Sequence, residues 1–346
     1  MRAGILTGGG DCPGLNAVIR AVGRSVMDRD HEFVGVLEGW RGLVEGLFEP
    51  LGPREISGIL PRGGTIIGTS RTNPFKLDGG VEKVLETFRN AELDALVAIG
   101  GEDTLGVAAR LHGEHGLPVV GVPKTIDNDL AATDQTFGFD TAVSIASEAI
   151  DRLHTTAESH DRVMVVEVMA RHAGWLAVAS GLAGGADVVL IPEFPVTVER
   201  CADLVRQRHA RGKDFSIIVV SEGWPLTREG GAEELSTPTG QRDAFGHVRL
   251  GGVGQRLADA LEELTGYETR VTTLGHLQRG GTPTAYDRVL ATRYGLLAAE
   301  LALEQRFGLM TSLRGMDVVA SPLDEAVKEL RTVPRSYYAL AEAFFG

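Results

Sequence analysis

Short apolar runs recur along this chain, and they constrain its fold more than any other feature. Most are nearly continuous in aliphatic residues, as expected for parallel strands that are buried on both faces. The runs lie at residues 4–7, 95–99, 119–122, 163–168, 188–191, 216–220 and 271–274. Between them, segments such as the one containing Leu15, Val18, Ile19 and Val22 place apolar residues at helical spacing. The alternation predicts an α/β protein with mostly parallel sheets covered by helices.

The runs fall into two groups, which predicts two Rossmann-like, three-layer domains with an active site in the cleft between them. Runs up to about residue 137 are expected to form one sheet, and those from about 160 to 222 another. Because a later segment with His276 and Arg279 must return to the site, we expect both domains to be discontinuous. The predicted first domain is 1–137 plus about 252–305, and the second is 138–251 plus about 306–346. Residues 225–243 lack an apolar period and are predicted to form a surface loop.

Composition and cysteine usage narrow the class of protein. The 346 residues are 43% hydrophobic and 23% charged, as is usual for a soluble globular protein. No apolar run reaches the ~18 residues that a bilayer span needs, so no membrane partner is expected. Cys12 and Cys201 are the only cysteines. Two cysteines exclude a disulfide framework and a cysteine-based metal site, and we expect a cytoplasmic protein.

The formal net charge of −13 argues against nucleic acid as a partner. It also constrains any phosphate-binding function, because an acidic protein must gather its cations locally to hold a polyanion. Candidate cations should therefore cluster in motifs at strand ends.

The segment Pro-Lys-Thr-Ile-Asp-Asn-Asp at 123–129 follows an apolar run and combines a cation, a hydroxyl and two acids. Lys124 can bind a phosphate, and Asp127 or Asp129 can accept a proton from an attacking alcohol. This segment therefore predicts a phosphate site with a base beside it. A cluster of helix N-cap residues is the structural alternative.

Glycine-rich turns supply further candidates. Gly8-Gly9-Gly10-Asp11 follows the first run, where backbone N–H groups and a helix N-terminus can face a phosphate. Gly100-Gly101-Glu102-Asp103-Thr104 follows another run, and Glu102 is a candidate Mg²⁺ ligand, directly or through water. A tight strand-to-helix turn and an acidic N-cap turn are the respective alternatives. Arg71, taken alone, is typical of a solvated surface residue.

Several cations and acids follow other predicted strands. Arg162 precedes one strand, Arg171 follows it, Glu222 follows another, and His276 and Arg279 lie in a later Gly-rich segment. Each alone is typical of an ordinary salt bridge or a structural histidine. Together they provide the local cations that an acidic phosphate-binding protein requires.

These motifs, in this order and spacing, resemble the 6-phosphofructokinase family over nearly the whole chain, from 8–11 to 275–281. The resemblance implies transfer of a phosphoryl group to the 1-hydroxyl of fructose 6-phosphate, giving fructose 1,6-bisphosphate. The first predicted domain would bind the phosphoryl donor and the second the sugar phosphate. It also implies Mg²⁺ as the cofactor, near Glu102, where the family commonly has Asp.

The resemblance implies a role for each matching residue. Asp127 would be the general base, supported by Thr125, Asp129 and Lys124, and Arg171 would neutralise charge in the transition state. Donor-binding residues would be Gly9, Gly10, Arg71, Asp103, Thr104 and Lys124. Substrate-binding residues would be Thr125, Ile126, Asp127, Arg162, Met169, Ala170, Arg171, Glu222, Arg270, His276, Gln278 and Arg279. Arg162 and Arg270 would reach in from a neighbouring subunit, which implies a homo-oligomer, a dimer or a tetramer.

One position departs from the family pattern. Ala170 stands where glycine is common. Alanine is tolerated there at negative φ, whereas a positive φ would put the sugar contact in doubt.

Two positions bear on the phosphoryl donor. The chain has Asp103 where ATP-using relatives usually have Gly, and Lys124 where many do. An aspartate adds charge and volume where the α-phosphate of a nucleotide would lie, and Lys124 can bind a terminal phosphate. We therefore predict pyrophosphate as the donor and a nearly reversible reaction. The alternatives are an ATP-dependent enzyme with an atypical site and, more remotely, a catalytically silent sugar-phosphate sensor, which the presence of Asp127 and Arg171 disfavours.

Overall fold

The computed structural model describes residues 1–229 and 251–346, and two sheets organise them. The strands are, in chain order, β1 (Arg2–Thr7), β2 (Glu32–Val36), β3 (Phe48–Pro50), β4 (Ala95–Gly100), β5 (Val119–Pro123), β6 (Val163–Val168), β7 (Val188–Leu190), β8 (Ser216–Ser221), β9 (Thr269–Thr273), β10 (Leu309–Arg314) and β11 (Asp317–Pro322). The seven apolar runs of the sequence all correspond to strands, with bounds that differ by up to two residues. The predicted α/β fold with mostly parallel sheets is confirmed.

Helices connect most of the strands. They are α1 (Leu15–Met27), α2 (Trp40–Glu45), α3 (Gly80–Asn90), α4 (Glu102–His115), α5 (Phe139–His160), α6 (Trp175–Ala183), α7 (Val198–Ala210), α8 (Val253–Thr265), α9 (Ala285–Leu303) and α10 (Arg335–Glu342). The helical spacing noted around Leu15–Val22 belongs to α1, whose apolar face is buried. No helix among the described residues is long and apolar enough to cross a membrane.

The first sheet has seven strands in the order β11-β10-β5-β4-β1-β2-β3. Its centre is parallel, and only the outer pairs β2–β3 and β10–β11 are antiparallel. β4 and β5 are buried along their whole length, because helices cover both faces of the sheet. The carboxyl ends of these two strands lead into the turns at 100–104 and 123–129.

The second sheet has four parallel strands in the order β7-β8-β6-β9. β6 lies at its centre and is fully buried. Its carboxyl end leads into residues 169–174, immediately before α6.

The two returning segments join the sheets differently from the predicted boundaries. The predicted first domain included β9, yet β9 pairs with β6 in the second sheet. The predicted second domain included β10 and β11, yet β10 pairs with β5 in the first sheet. The reason is helix packing: α8 lies on β6 and β9, whereas α9 lies on α1 and β5, so the strand after α9 returns to the first sheet.

One core joins the two sheets. It packs residues from one face of the first sheet, such as Ile5 and Val97, with residues of the second, such as Val166 and Ile217. Separate cores fill the outer face of each sheet. The carboxyl ends of β5 and β6 are thereby held on a continuous packed base. The predicted surface loop at 225–243 falls mostly on residues 230–250, outside the described part of the chain.

Candidate active site

A cavity of about 130 Å³ lies between the carboxyl ends of the strands of the two sheets. It brings together twelve of the predicted site residues. They are Gly9, Gly10, Arg71, Glu102, Asp103, Thr104, Lys124, Thr125, Asp127, Asp129, Arg171 and Arg279. Loops separated by more than 250 residues in sequence thus meet at one point, as expected for ligand sites at strand ends in open α/β sheets.

Lys124 ties two of these loops together. Its backbone N–H donates to the carbonyl of Gly100 at 2.9 Å, and its ammonium group donates to the carbonyl of Gly10. The side chain is only 3% exposed, and burial lowers the pKa of Lys124 from its ordinary value. The ammonium group is therefore a fixed hydrogen-bond donor at the cavity, held between the two glycine-rich turns.

The loop that carries the two acids is held by side-chain hydrogen bonds. Thr125 Oγ1 accepts from the backbone N–H of Asp127 at 3.0 Å. Asn128 takes a positive φ of 54°, which Asn tolerates better than most residues, and its Oδ1 accepts from the N–H of Thr136 at 3.0 Å. The Thr136 hydroxyl donates to the carbonyl of Thr125 at 2.7 Å. The hydrogen bond to the Asn128 side chain therefore restrains the loop backbone between Asp127 and Asp129.

The acids of the cavity perturb one another. Burial raises the pKa of Asp129 to about 7, and the nearby charge of Asp127 adds to the increase. Asp127 Oδ1 is buried without a hydrogen-bond partner in the described structure. An unpaired carboxylate oxygen is costly to bury, so it is a natural acceptor for a ligand proton or a cation.

The same acids suit a hard cation. Glu102, Asp127 and Asp129 present carboxylate oxygens to the cavity. No group of three or more His, Cys, Asp or Glu side chains that is arranged to hold a metal by itself occurs in residues 1–229 and 251–346. Mg²⁺ is commonly bound by one or two carboxylates together with phosphate oxygens, so these residues fit Mg²⁺ that arrives with a phosphate ligand.

Gly10 allows the closest approach in the first glycine turn. A Cβ atom at this position would lie 2.5 Å from Nη1 of Arg279, which donates to the carbonyl of Asp11 at 3.2 Å. Glycine at position 10 therefore leaves room for the Arg279 guanidinium in its present position, and a larger residue would displace that group. Arg279 lines this cavity, and His276 lies with Arg279 in the lining of a neighbouring cavity.

Asp103 stands between the phosphate-sized cavity and a larger one. The second cavity, of about 550 Å³, runs along α4 and is lined by Phe75 and Arg110, with the Arg110 guanidinium 3.6 Å from the Phe75 ring centroid. Glu102 and Asp103 line both cavities. A ligand that extends from the first cavity into the second must pass the Asp103 carboxylate. Sequence reasoning had not identified this second cavity.

Residues 169–174 form the opposite wall, and their backbone is unusual. Ala170 has φ of 113° and is fully buried. Its N–H donates to Oε1 of Glu222 at 3.4 Å, and its carbonyl accepts from the Ser221 hydroxyl at 2.9 Å. Burial raises the pKa of Glu222 to about 7, with the charge of Asp127 as a further cause. Ala170 therefore has the positive φ that puts its predicted sugar contact in doubt, and alanine is strained in this conformation.

Some predicted residues are not brought to the cavity. The side chains of Ile126 and Gln278 are fully buried and face the protein interior. Arg162 and Arg270 lie at the amino ends of β6 and β9, where both contact Glu268. β6 spans six residues, so its amino end is about 17 Å from the loop that carries Arg171. These two arginines are therefore remote from the site of their own chain, and their predicted contact with the site of a neighbouring subunit stays a prediction.

His172 was missed as a lining residue. It contributes to the cavity beside Arg171. Its only sequence signal was its place in the segment Ala-Arg-His-Ala at 170–173, and a lone histidine is more often structural.

Comparison with known proteins identifies the family. A family model described as phosphofructokinase matches residues 2–302. A pyrophosphate–fructose 6-phosphate 1-phosphotransferase from Amycolatopsis methanolica is 60% identical over 347 residues, covering 100% of each chain. An ATP-dependent 6-phosphofructokinase from Streptomyces coelicolor is 52% identical over 343 residues, covering 99% of each.

Solved structures give the same result. Phosphofructokinase of Pichia pastoris in the T-state matches with a TM-score of 0.82 and 32% identity. The match covers 99% of this chain and 38% of the Pichia chain. From the family model, the sequence relatives and the fold, this chain belongs to the phosphofructokinase family.

Proposed function

We propose that this chain phosphorylates fructose 6-phosphate at its 1-hydroxyl, with pyrophosphate as the donor and fructose 1,6-bisphosphate as the product. The observation that carries the proposal is a cavity lined by Asp127 together with the cations Lys124, Arg171 and Arg279. Asp127 Oδ1 has no hydrogen-bond partner in the described structure. Phosphoryl transfer needs a proton acceptor for the attacking hydroxyl and positive charge around the transferred group. Two relatives, at 60% and 52% identity, are named for this transfer from pyrophosphate and from ATP, respectively.

Asp127 would take the proton of the 1-hydroxyl, because its Oδ1 has no competing partner in the described structure. Arg171, on the opposite wall, would neutralise charge that develops on the transferred group. Thr125 holds the backbone of Asp127 in place. Lys124, fixed between the two glycine-rich turns, would hold a terminal phosphate of the donor.

Mg²⁺ would be held by Glu102 and the neighbouring acids together with phosphate oxygens of the donor. When bound, it would offset the negative charge of pyrophosphate beside Asp127 and Asp129. The longer side chain of Glu102, compared with Asp, is compatible with a water-mediated contact. A cytoplasmic location stays a prediction from the sequence.

The position of Asp103 supports pyrophosphate over ATP. Pyrophosphate can remain within the smaller cavity, whereas the nucleoside part of ATP must extend past the Asp103 carboxylate into the larger one. A carboxylate beside the α-phosphate would repel it in a partly desolvated site. The 550 Å³ cavity with Phe75 keeps ATP as the second candidate, since it offers apolar surface of the kind that a base would cover.

Assay of the purified protein with fructose 6-phosphate and either donor tests this proposal. We expect turnover with pyrophosphate at least about 100-fold faster than with ATP, equivalent to ~2.7 kcal/mol of discrimination. Asp103→Asn removes the charge at nearly constant volume, and Asp103→Gly removes both. If both variants gain activity with ATP, the charge of Asp103 discriminates between the two donors. If only the glycine variant gains this activity, the volume of the Asp103 side chain does so. Turnover of the wild-type enzyme with ATP alone would refute the pyrophosphate proposal.

We further propose that the active enzyme is a homo-oligomer in which Arg162 and Arg270 complete the site of a neighbouring subunit. Their position about 17 Å from the Arg171 loop supports this, because neither reaches the sugar-binding wall of its own chain.

Subunit mixing tests the oligomer proposal. Arg162→Ala and Asp127→Asn should each abolish most activity, but a hybrid contains one site with an intact base and an intact neighbouring arginine. Random mixing after co-expression should restore about one quarter of wild-type activity for a dimer. Activity no higher than that of the two variants measured separately would show that Arg162 acts within its own chain or has no part in the site.

A further inference from the structure

Residues 330–333, which precede α10, contact both loops that form the opposing walls of the active site. One loop is 124–130, which follows β5 and carries Asp127. The other is 169–174, which follows β6 and carries Arg171. Because these loops belong to different sheets, their separation is not set by strand pairing.

Arg331 contacts the first loop through its backbone and its side chain. Its backbone N–H donates to the carbonyl of Asp129 at 2.9 Å, and Nη1 donates to the carbonyl of Asn128 at 3.2 Å. An antiparallel bridge joins Leu130 to Leu330 beside these bonds. The two carbonyls belong to the residues that follow Asp127, so the bonds fix the backbone of the base.

The same residue contacts the end of the second loop. Cζ of Arg331 lies 4.1 Å from the ring centroid of Trp175, the first residue of α6. Trp175 Nε1 donates to the carbonyl of Arg331 at 2.8 Å. Glu193 adds a second tie, because it accepts from the N–H of Gly174 at 2.9 Å and from the N–H of Val333 at 2.9 Å.

The contact is buried enough to be stiff. Arg331 is partly buried and Trp175 is 7% exposed. A guanidinium group stacked on an indole and shielded from water is held more firmly than an exposed ion pair. The side chain therefore restrains both loops at the same time.

We propose that Arg331 is a positioning residue that fixes the separation of Asp127 and Arg171 across the cleft. Arg331 does not line the active-site cavity. Its effect passes through Asn128 and Asp129 on one side and through Trp175 on the other. This inference rests on the proposed phosphoryl transfer, in which the base and the transition-state arginine must act on the same bound substrate.

Kinetics of Arg331→Ala, Arg331→Lys and Trp175→Phe test the proposal. We expect kcat to fall roughly 10- to 100-fold in Arg331→Ala, because a small misplacement of reacting groups has effects of this size. KM should stay within about twofold, since the groups that bind the ground state remain in place. Lysine keeps the charge and one donor but not the flat stacking surface, so it should recover part of kcat. Trp175→Phe keeps a ring and loses the Nε1 bond, and should lower kcat less than Arg331→Ala does.

Arg335 provides a matched control. It lies four residues further on, with Cζ 5.1 Å from the Phe194 ring centroid, and it pairs with Glu342. Arg335→Ala should change thermal stability little, because its ion pair is exposed, and should leave kcat unchanged. If Arg331→Ala lowers stability but keeps kcat within twofold of wild type, the positioning role is wrong. If Arg331→Ala does not fold, an unchanged kcat in both Arg331→Lys and Trp175→Phe overturns it. All variants are compared with wild type using the donor that supports turnover. If wild type turns over neither donor, the proposed function is wrong, and the result does not concern the role of Arg331.

Discussion

The two loops that face each other across the cleft are built differently. Loop 124–130 is held by side chains: Lys124, Thr125, Asn128 and Thr136 each bond to backbone or to a neighbouring loop. Loop 169–174 is shaped by its backbone, with Ala170 at a φ of 113° that an L-residue rarely adopts. The first loop therefore contributes chemistry from a rigid support, whereas the second reaches its shape at the expense of local strain. Substitutions in the two loops should consequently affect different quantities.

The largest effect is expected in the first loop. Asp127→Asn removes the proton acceptor while nearly conserving shape, so kcat should fall by about 10³-fold, within the range for loss of general base catalysis. Thermal stability should not fall and should rise slightly, since Asp127 Oδ1 has no hydrogen-bond partner in the described structure to lose and the substitution removes a costly buried charge. Steady-state kinetics together with thermal unfolding checks both parts. Asp78→Asn, on the exposed surface, is the control and should alter neither. A kcat within tenfold of wild type would remove Asp127 from the role of base.

A smaller effect, on stability, separates Asp129 from Asp127. Burial raises the pKa of Asp129 from 3.8 to about 7, so between these values the folded state keeps a proton that the unfolded state has lost. Stability from this group is present at low pH, falls as the pH rises towards 7 and is constant above it.

Asp129→Asn removes this pH dependence. In the absence of ligand, the difference in the free energy of unfolding between the variant and wild type should shift in favour of the variant by about 3 kcal/mol from pH 5 to pH 8. Urea unfolding at both pH values measures the difference. Glu222→Gln, beside the second loop, should shift in the same direction, because burial also raises the pKa of Glu222 to about 7. An Asp129→Asn gain that is equal at pH 5 and pH 8 would contradict a raised pKa.

The two loops also differ in what their sequences disclose. The side chains of residues 124–129 indicate their chemistry directly, so the sequence alone predicts that Lys124, Asp127 and Asp129 form one site. The same reasoning located the runs that became β1 and β4–β9. It did not locate β2, β3, β10 and β11. It also did not identify the sheet to which β9 belongs, because strand order depends on where α8 and α9 pack, over distances that local patterns do not encode.

The role of Arg331 was likewise invisible in the sequence. It stands 203 residues from Asn128 in one loop and 156 residues from Trp175 at the end of the other. Nothing in the pattern around it differs from an ordinary surface arginine. The φ of Ala170 also follows from the tertiary position of its neighbours, Glu222 and Ser221, rather than from any local preference of alanine. The sequence therefore predicts which side chains can carry the chemistry. It does not show which distant residues restrain the loops that hold them.

The smallest predicted effect addresses the strain of the second loop directly. At a φ of 113°, the Cβ of Ala170 costs about 1–3 kcal/mol, whereas glycine adopts this conformation freely. Glycine also lowers the free energy of unfolding by about 0.4–1 kcal/mol, because it makes the unfolded chain more flexible. Ala170→Gly should therefore stabilise the protein by about 1 kcal/mol, seen as a rise of roughly 2 °C in the unfolding midpoint.

Ala173→Gly, a buried alanine of the same loop that is not among the residues with positive φ, is the matched control and should destabilise. If Ala170→Gly destabilises as much as this control, Ala170 is not strained. If it stabilises and kcat is unchanged, the strain is only the consequence of packing around Glu222. If it stabilises and KM for the sugar phosphate rises, the Cβ of Ala170 itself shapes the sugar-binding wall, and the second loop trades stability for fit.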